Sequence, residues 1–219
     1  NDNLMLWVYD YPDKIHDLCR FLTDDKKRFF TFLQNKGLLD FNTDNQFAGP
    51  SSYGYVSDLP QCGTNKQVEL KDLWVWAESQ ETEAISPKMF RDLFLPYLSE
   101  IANMFGHTYY GCCEGIHDRF HYIEEAIRNI RSVSISGWSD LFAAGEILGN
   151  RYVYSRKPVP AYMSTQTPDW ENAKKDATET KKATKNCCVE VVFRDIYSSY
   201  CTPHRAAEWI AMWKSVLDI

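Results

Sequence analysis

Two thiols, a carboxylate and an imidazole lie together in the run Cys112-Cys113-Glu114-Gly115-Ile116-His117. The run follows an aromatic, strand-like stretch and precedes a segment with helical period, so it lies where a strand leads into a helix. β/α folds place their chemistry at the carboxyl ends of strands. Thiolate, imidazole and carboxylate are the ligands of zinc. We therefore predict a metal site from Cys113, Cys112, Glu114 and His117, with Asp195 from the end of another strand.

The same residues also admit a structural interpretation. Adjacent side chains on a strand point to opposite faces, so at most one of Cys112 and Cys113 faces a pocket. Cysteine is often buried without any functional role, and both thiols could be small core residues. His117 would then be an exposed residue at a helix start, and Asp195 a helix cap or an ion-pair partner.

Further acids and amides follow other predicted strands. Glu78, Gln80 and Glu81 come directly after a tryptophan-rich segment, and Asn42 follows an apolar one. If these strand ends converge, Glu78 and Glu81 would serve as catalytic groups with Asp195, while Asn42 and Gln80 would bind substrate. Asp195 and Glu81 could also act as acid and base without a metal. The alternative is turn capping, which Asn and Asp perform routinely.

Two more residues are candidates for substrate binding. Trp138, with other tryptophans, could form the wall of a pocket for an aromatic methyl ether, although large aromatic residues more often pack in cores. Lys157, in the segment Arg156-Lys157-Pro158 after a predicted strand, could bind a carboxylate or phosphate. Its alternative is a solvated loop.

Composition narrows the functional classes. The formal net charge is −6, and no block of Lys and Arg occupies a helix face, which disfavours nucleic acid as a partner. No apolar stretch approaches the roughly 20 residues of a membrane helix. The seven cysteines are an odd number and include two adjacent pairs, which make a poor disulfide framework. With no secretory signal pattern at the amino end, we expect free thiols and a cytoplasmic location.

Hydrophobic periodicity predicts alternating helices and strands. Strands are predicted at 38–43, 73–77, 109–113, 132–136, 152–155 and 188–193. Helices are predicted at 12–36, from Ser86-Pro87 to about 105, at 118–130 and 140–149, and after Thr167-Pro168 and Thr202-Pro203. The connection at 44–70 is an unusually long loop. This alternation, without hairpin signals, predicts an α/β fold with a parallel sheet, either open or part of a barrel.

Several segments together resemble the uroporphyrinogen decarboxylase superfamily, in particular its corrinoid-methyltransferase-like branch. The resemblance covers nearly the whole chain, in order. It is carried by Gly111-Cys112-Cys113-Glu114 with His117, Ser134-Ile135-Ser136-Gly137-Trp138-Ser139-Asp140, Gly149-Asn150-Arg151-Tyr152-Val153-Tyr154-Ser155-Arg156-Lys157-Pro158, Arg194-Asp195-Ile196, Ser86-Pro87-Lys88-Met89-Phe90 and Leu95-Pro96-Tyr97.

The resemblance implies a partial (β/α)8 TIM-type barrel. Residues 1–219 would form one domain of five or six carboxyl-terminal β/α units, without about three amino-terminal units of the eight. The implied activity is methyl transfer from a small methylated compound to a corrinoid carried by a partner protein, with zinc as the implied metal. In the methyltransferases a His-x-Cys motif and a later Cys hold zinc. Cys113 matches the first Cys, whereas Gly111 stands at the His position and Asp195 falls near the last Cys.

Two alternatives remain open. One is a decarboxylase or lyase, although the decarboxylases place a His just after the last strand, where this chain has Asp195-Ile196, and their arginine-rich amino-terminal site has no match. The other is a non-catalytic barrel fragment that associates with another chain. Its unpaired edges, beside Leu39–Thr43 and Cys188–Phe193, would favour a homodimer.

Overall fold

The computed structural model describes residues 2–60, 67–196, 198 and 202–219. Cys62 and Cys201 lie outside these ranges. The helices are α1 (Asp2–Asp10), α2 (Pro12–Asn35), α3 (Pro87–Leu93), α4 (Leu95–Ala102), α5 (Phe120–Ala126), α6 (Leu141–Leu148), α7 (Trp170–Ala183) and α8 (Arg205–Leu217). The strands are β1 (Phe47–Gly49), β2 (Ser52–Tyr53), β3 (Trp74–Ala77), β4 (His107–Tyr110), β5 (Ile130–Ile135), β6 (Val153–Arg156) and β7 (Cys188–Val191).

The predicted α/β class with a parallel sheet is confirmed. Five strands form a sheet in the order β3-β4-β5-β6-β7, and helices flank it. The helical connections return the chain so that successive strands run in the same direction. Such strands are buried on both faces, which explains why Tyr109, Tyr110 and Tyr154 are fully buried. The chain divides into two compact units, residues 1–112 with 118–131 and residues 113–117 with 132–219.

In the first unit, the predicted strand at Leu38–Thr43 is wrong, because a side chain takes the place of a paired strand. The Asn42 amide nitrogen donates to the Trp74 carbonyl at 3.1 Å, and the Asn42 amide oxygen accepts from the Trp74 N–H at 2.9 Å. Asn side chains compete with backbone partners in this way. The start of β3 is thus satisfied without a neighbouring strand, and one of the two sheet edges expected for association is not a strand.

The expectation of no hairpin is also wrong. β1 and β2 pair antiparallel inside the segment predicted as a long loop, and Ser51 in their turn has a φ of 64°. Both strands are too short to give an alternating pattern. Gly49 is required here, because a Cβ atom at this position would lie 2.2 Å from the Tyr109 ring.

Helix starts follow their capping residues. The Ser86 hydroxyl accepts from the Met89 N–H, and the Asp140 carboxylate accepts from the first N–H groups of α6. The predicted helix from Ser86 to about 105 is interrupted at Phe94, because Pro96 lacks an N–H and restarts the helix as α4. The helix expected after Thr167-Pro168 begins two residues later, where Asp169 caps it.

The second unit contains β6, β7 and most of β5, with α6, α7 and α8. In the ladder, Ile135 pairs with Arg156, and Arg156 pairs with Val191. The α7 and α8 helices pack around the buried side chains of Met163, Ala173, Ala177, Trp209 and Trp213. Across the described ranges, no helix has both the length and the apolar character needed to cross a membrane.

Candidate functional site

A small cavity lies beyond the carboxyl ends of β5, β6 and β7 in the second unit. We call it the strand-end cavity. Ser136 directly follows β5, Lys157 directly follows β6, and Arg194 comes shortly after β7. The cavity has a volume of ≈ 80 Å³. Its lining residues are Cys113, Ser136, Gly137, Trp138, Lys157, Pro158, Pro160, Arg194 and Asp195.

Arg194 connects the thiol to the acid within this cavity. Its Nη2 donates to Cys113 Sγ at 3.0 Å and lies 2.7 Å from the Asp195 carboxylate, which also accepts from Nε at 2.7 Å. Burial disfavours the Arg194 charge, but the hydrogen bonds to Cys113 and Asp195 outweigh it and raise the Arg194 pKa above its ordinary value. Cys113 and Asp195, predicted from separate segments, therefore share one site.

Asp195 has a backbone conformation that suits this role. Its φ of 57° lies in the left-handed region, which Asp tolerates better than most residues other than glycine. Such conformations cost about 1–3 kcal/mol and persist only where the surroundings hold them. The turn brings the Asp195 carboxylate back onto the guanidinium of the preceding Arg194.

Lys157 and Trp138, the two residues predicted to bind substrate, both line the strand-end cavity. Lys157 is 1% exposed, and its backbone N–H donates to the backbone carbonyl of Ile135 at 2.8 Å. Trp138 is 75% exposed at the rim. The Ser136 hydroxyl accepts from the Trp138 N–H at 3.3 Å and lies 3.1 Å from the Ser139 hydroxyl, which closes the loop after β5. The lining of the cavity thus includes a buried lysine and an exposed aromatic residue.

Arg156 donates hydrogen bonds to the backbone of both the loop after β5 and the loop after β6. This side chain is 1% exposed, and its Nη1 donates to the carbonyls of Ser136 at 2.9 Å and Lys157 at 2.7 Å. Its Nη2 bonds to the Asp176 carboxylate, whose second oxygen accepts from Val159 N–H. The loops that follow β5 and β6 are therefore fixed by one buried ion pair.

Sequence reasoning gave no functional role to Arg194 or Ser136. Arg194 carried a usable signal, since a basic residue directly before an acid at a strand exit can bridge it to other groups. Ser136 had no signal in the sequence that distinguishes it from Ser132 and Ser134 in β5.

The acids predicted in the first unit are placed differently. Glu78 follows the carboxyl end of β3, and Gln80 and Glu81 lie in the 3-10 turn Gln80–Thr82. Glu78 and Glu81 line a largely apolar cavity of ≈ 420 Å³, and Gln80 is exposed. Asn42 binds Trp74 at the opposite end of β3, so the structure does not bring Asn42 together with Glu78.

The remaining metal candidates lie in a turn and not on a strand. Gly111 ends the strand conformation with a φ of 94°, so the argument from alternating strand faces does not apply to Cys112 and Cys113. Cys112 is half-buried, Glu114 is buried and His117 is exposed.

The structure does not bring Cys112, Cys113, Glu114, His117 and Asp195 together as one group of ligands. In the part of the chain that the structure describes, no three His, Cys, Asp or Glu side chains gather closely enough to hold a metal ion. Cys113 and Asp195 share a cavity, but the Arg194 guanidinium bonds to both of them. A metal there would have to displace this cation, and zinc stays a prediction.

Comparison with known proteins identifies no relative. No protein-family model matches the chain, and neither the curated proteins nor the solved structures contain a significant match.

Proposed function

We propose that this chain is part of a barrel of the uroporphyrinogen decarboxylase type and that the strand-end cavity is its reaction site. One observation carries the proposal. Cys113 and Asp195, which the resemblance aligns with the two metal-holding segments of the methyltransferases, line the same cavity. Five parallel strands with flanking helices are compatible with such a barrel, and its active site lies at the carboxyl ends of the strands.

The reaction we propose is methyl transfer from a small methylated compound to a corrinoid. The carbon–oxygen or carbon–nitrogen bond of the donor breaks as the methyl group moves to the cobalt of the corrinoid, which a partner protein carries. Charge then develops on the leaving oxygen or nitrogen. Lys157 and Arg194 would stabilise an alkoxide at that point, since preorganised cations in a water-poor site act most strongly there.

The cellular setting follows from the same proposal. We place the protein in the cytoplasm, where the cysteines that the structure describes as free thiols would stay reduced. Its partner would be a corrinoid-binding protein. Self-association remains a proposal for β7, an end strand of the described sheet. The substrate-positioning roles of Glu78 and Glu81 remain proposals as well.

A decarboxylase is the second candidate, and one pairing of groups favours it. Lys157 offers a cation for a carboxylate, and Asp195 offers an acid in the same cavity. In its protonated form, Asp195 would deliver a proton to the carbanion that forms when carbon dioxide leaves, and water would return a proton to it before the next turnover. This reaction needs neither a corrinoid nor a metal.

Methyl transfer is tested with cob(I)alamin as the acceptor and methoxyacetate or 1,2-dimethoxyethane as the donor, by following methylcobalamin formation spectroscopically. We expect turnover by the full chain and a loss of about 100-fold or more in Arg194→Met, because a stabilising donor at the leaving atom is removed. Lys185→Met, which removes an exposed lysine, is the matched control and should leave the rate unchanged.

Two further readouts separate the candidates. Carbon dioxide release from oxaloacetate, without methylcobalamin from either donor, would replace methyl transfer by the decarboxylase. Metal analysis of the purified protein tests the zinc prediction, which requires about one zinc per chain that is lost in Cys113→Ser. Absence of both reactions above the protein-free rate would overturn the proposed function.

A further inference from the structure

A second cavity lies wholly within the first unit, and we call it the first-unit cavity. It has a volume of ≈ 420 Å³, and most of its lining side chains come from helices α2 and α4 and from the segment that contains β3. All of its lining residues belong to the first unit. The volume falls within the range of about 300–1,000 Å³ that is usual for sites that bind small molecules.

The lining of the first-unit cavity includes both buried and solvent-exposed apolar side chains. Phe90 and Ala102 are fully buried, whereas Leu22 and Trp76 are about half exposed and therefore mark the opening. The Trp76 Nε1–H donates to the Gly111 carbonyl at 3.1 Å, which fixes this ring at the opening. A ligand that enters past Leu22 and Trp76 removes apolar surface from water, and this removal favours binding.

Several hydroxyl groups of the lining already have hydrogen-bond partners within the protein. The Thr82 hydroxyl donates to the Ser79 carbonyl at 2.7 Å, and the Ser79 hydroxyl accepts from the Tyr110 hydroxyl at 2.8 Å. The Tyr97 hydroxyl lies 2.8 Å from His16 Nδ1 and is bonded to it. Because these groups are satisfied internally, they do not need a polar ligand to complete their hydrogen bonds.

The interior of the first-unit cavity is also unfavourable for charge. Lys26 and Glu81 are exposed, so both side chains keep their contact with water, and Glu78 is half-buried. Burial raises the pKa of the Cys19 thiol, which keeps this lining residue uncharged at neutral pH. A charged group that enters an apolar interior loses its hydration, and this loss is costly.

We propose that the first-unit cavity binds an uncharged, hydrophobic small molecule. Its hydrocarbon part would contact the apolar side chains of α2, β3 and α4, and any polar group that it carries would stay at the opening near Leu22 and Trp76. This site is additional to the proposed function and does not depend on it, because the proposed reaction site is formed by residues of the second unit.

Fluorescence titration of the folded chain tests the proposal with two probes that share one skeleton. N-phenyl-1-naphthylamine is uncharged, and 8-anilino-1-naphthalenesulfonate is the same molecule with an added sulfonate group. We expect the uncharged probe to bind at about one site per chain and at least about tenfold more tightly than the sulfonate, because the sulfonate resists the loss of its hydration.

Two variants in one turn of α2 locate the bound probe. Leu22→Glu places a charge at the opening and should weaken binding of the uncharged probe by about tenfold. Phe21→Glu is the matched control, because Phe21 is the adjacent residue, is 64% exposed and does not line the cavity. It should change the affinity by less than about twofold. Both positions are at least half exposed, so we expect both variants to fold.

Three results of these titrations would overturn the proposal. They are the absence of saturable binding of the uncharged probe, equal affinities for the two probes, and equal losses in Leu22→Glu and Phe21→Glu. Analytical ultracentrifugation adds a fourth result. A dimer that excludes the uncharged probe and dissociates in Leu22→Glu would show that a second copy of the chain covers the opening, and this would also overturn the proposal.

Discussion

Arg156 shows how one buried charge determines the geometry of the candidate site. Its guanidinium donates to three backbone carbonyls, to the Thr180 hydroxyl and to the Asp176 carboxylate, so each of its three nitrogen atoms has a partner. In the sequence this arginine suggested only a loop or an anion site. It belongs to the β6 ladder, and the neighbouring Lys157 is the residue that lines the cavity.

Replacing Arg156 with Met should therefore be strongly destabilising. The change leaves the Asp176 carboxylate buried without its cation, and breaking a buried ion pair costs about 3–5 kcal/mol. Urea unfolding followed by circular dichroism measures the change. Lys181→Met removes the exposed Lys181–Asp218 pair and should cost at most about 1 kcal/mol. Equal losses in the two variants would show that the buried network does not support the second unit.

At the scale of elements, the sequence predicts what local chemistry determines. Pro12 and periodic apolar positions place α2, the Asp140 cap places α6, and short apolar runs place the five sheet strands. The sequence fails where a tertiary contact decides the outcome, as with Asn42, which replaces a strand beside Trp74. The same distinction applies to the candidate site, where some residues are predictable from the sequence and others are not. Asp195 and Lys157 are predicted because they follow strands, Cys113 because its run leads from a strand into a helix, and Trp138 because aromatic rings can form a pocket wall. The Arg194 bridge depends on the three-dimensional path of the turn after β7.

The contact between α2 and α4 gives a pH-dependent prediction. Hydrogen bonds from Arg20, together with Lys27, lower the Glu100 pKa from 4.5 to about 2. Because the folded pKa is depressed, the stabilisation is fully present above pH 4.5 and is lost as the pH falls towards 2. The carboxylate is about one third exposed, so we expect Glu100→Gln to cost at most about 1 kcal/mol at neutral pH.

The difference in unfolding free energy between the original chain and Glu100→Gln should shrink towards zero as the pH falls from 4.5 to about 2. Urea unfolding at each pH measures this difference. Asp25→Asn is the control, since Asp25 forms an exposed ion pair with Arg28 on its own helix. If this difference in unfolding free energy stays constant over the same pH range, the ion pairs of Glu100 with Arg20 and Lys27 do not stabilise the contact between α2 and α4.

At the scale of the whole molecule, the candidate site depends on a parallel sheet in which the carboxyl ends of the strands lie along one edge. Side chains from the turn after β4 and from the exits of β5, β6 and β7 line the strand-end cavity, although they are distant in sequence. Parallel strands place their carboxyl ends side by side, and this explains how scattered residues form one site. The fold alone does not select a reaction, because such sheets support many chemistries.

The most direct measurement is the rate at which iodoacetamide alkylates Cys113, followed by mass spectrometry with and without methoxyacetate. Cys188 is exposed and serves as the reference thiol in the same sample. If Cys113 lines the ligand cavity, methoxyacetate at four times its dissociation constant occupies about four fifths of the molecules, so alkylation of Cys113 slows by about fivefold while Cys188 is unaffected. An unchanged Cys113 rate at a concentration where calorimetry shows binding would contradict a shared cavity for the thiol and the ligand.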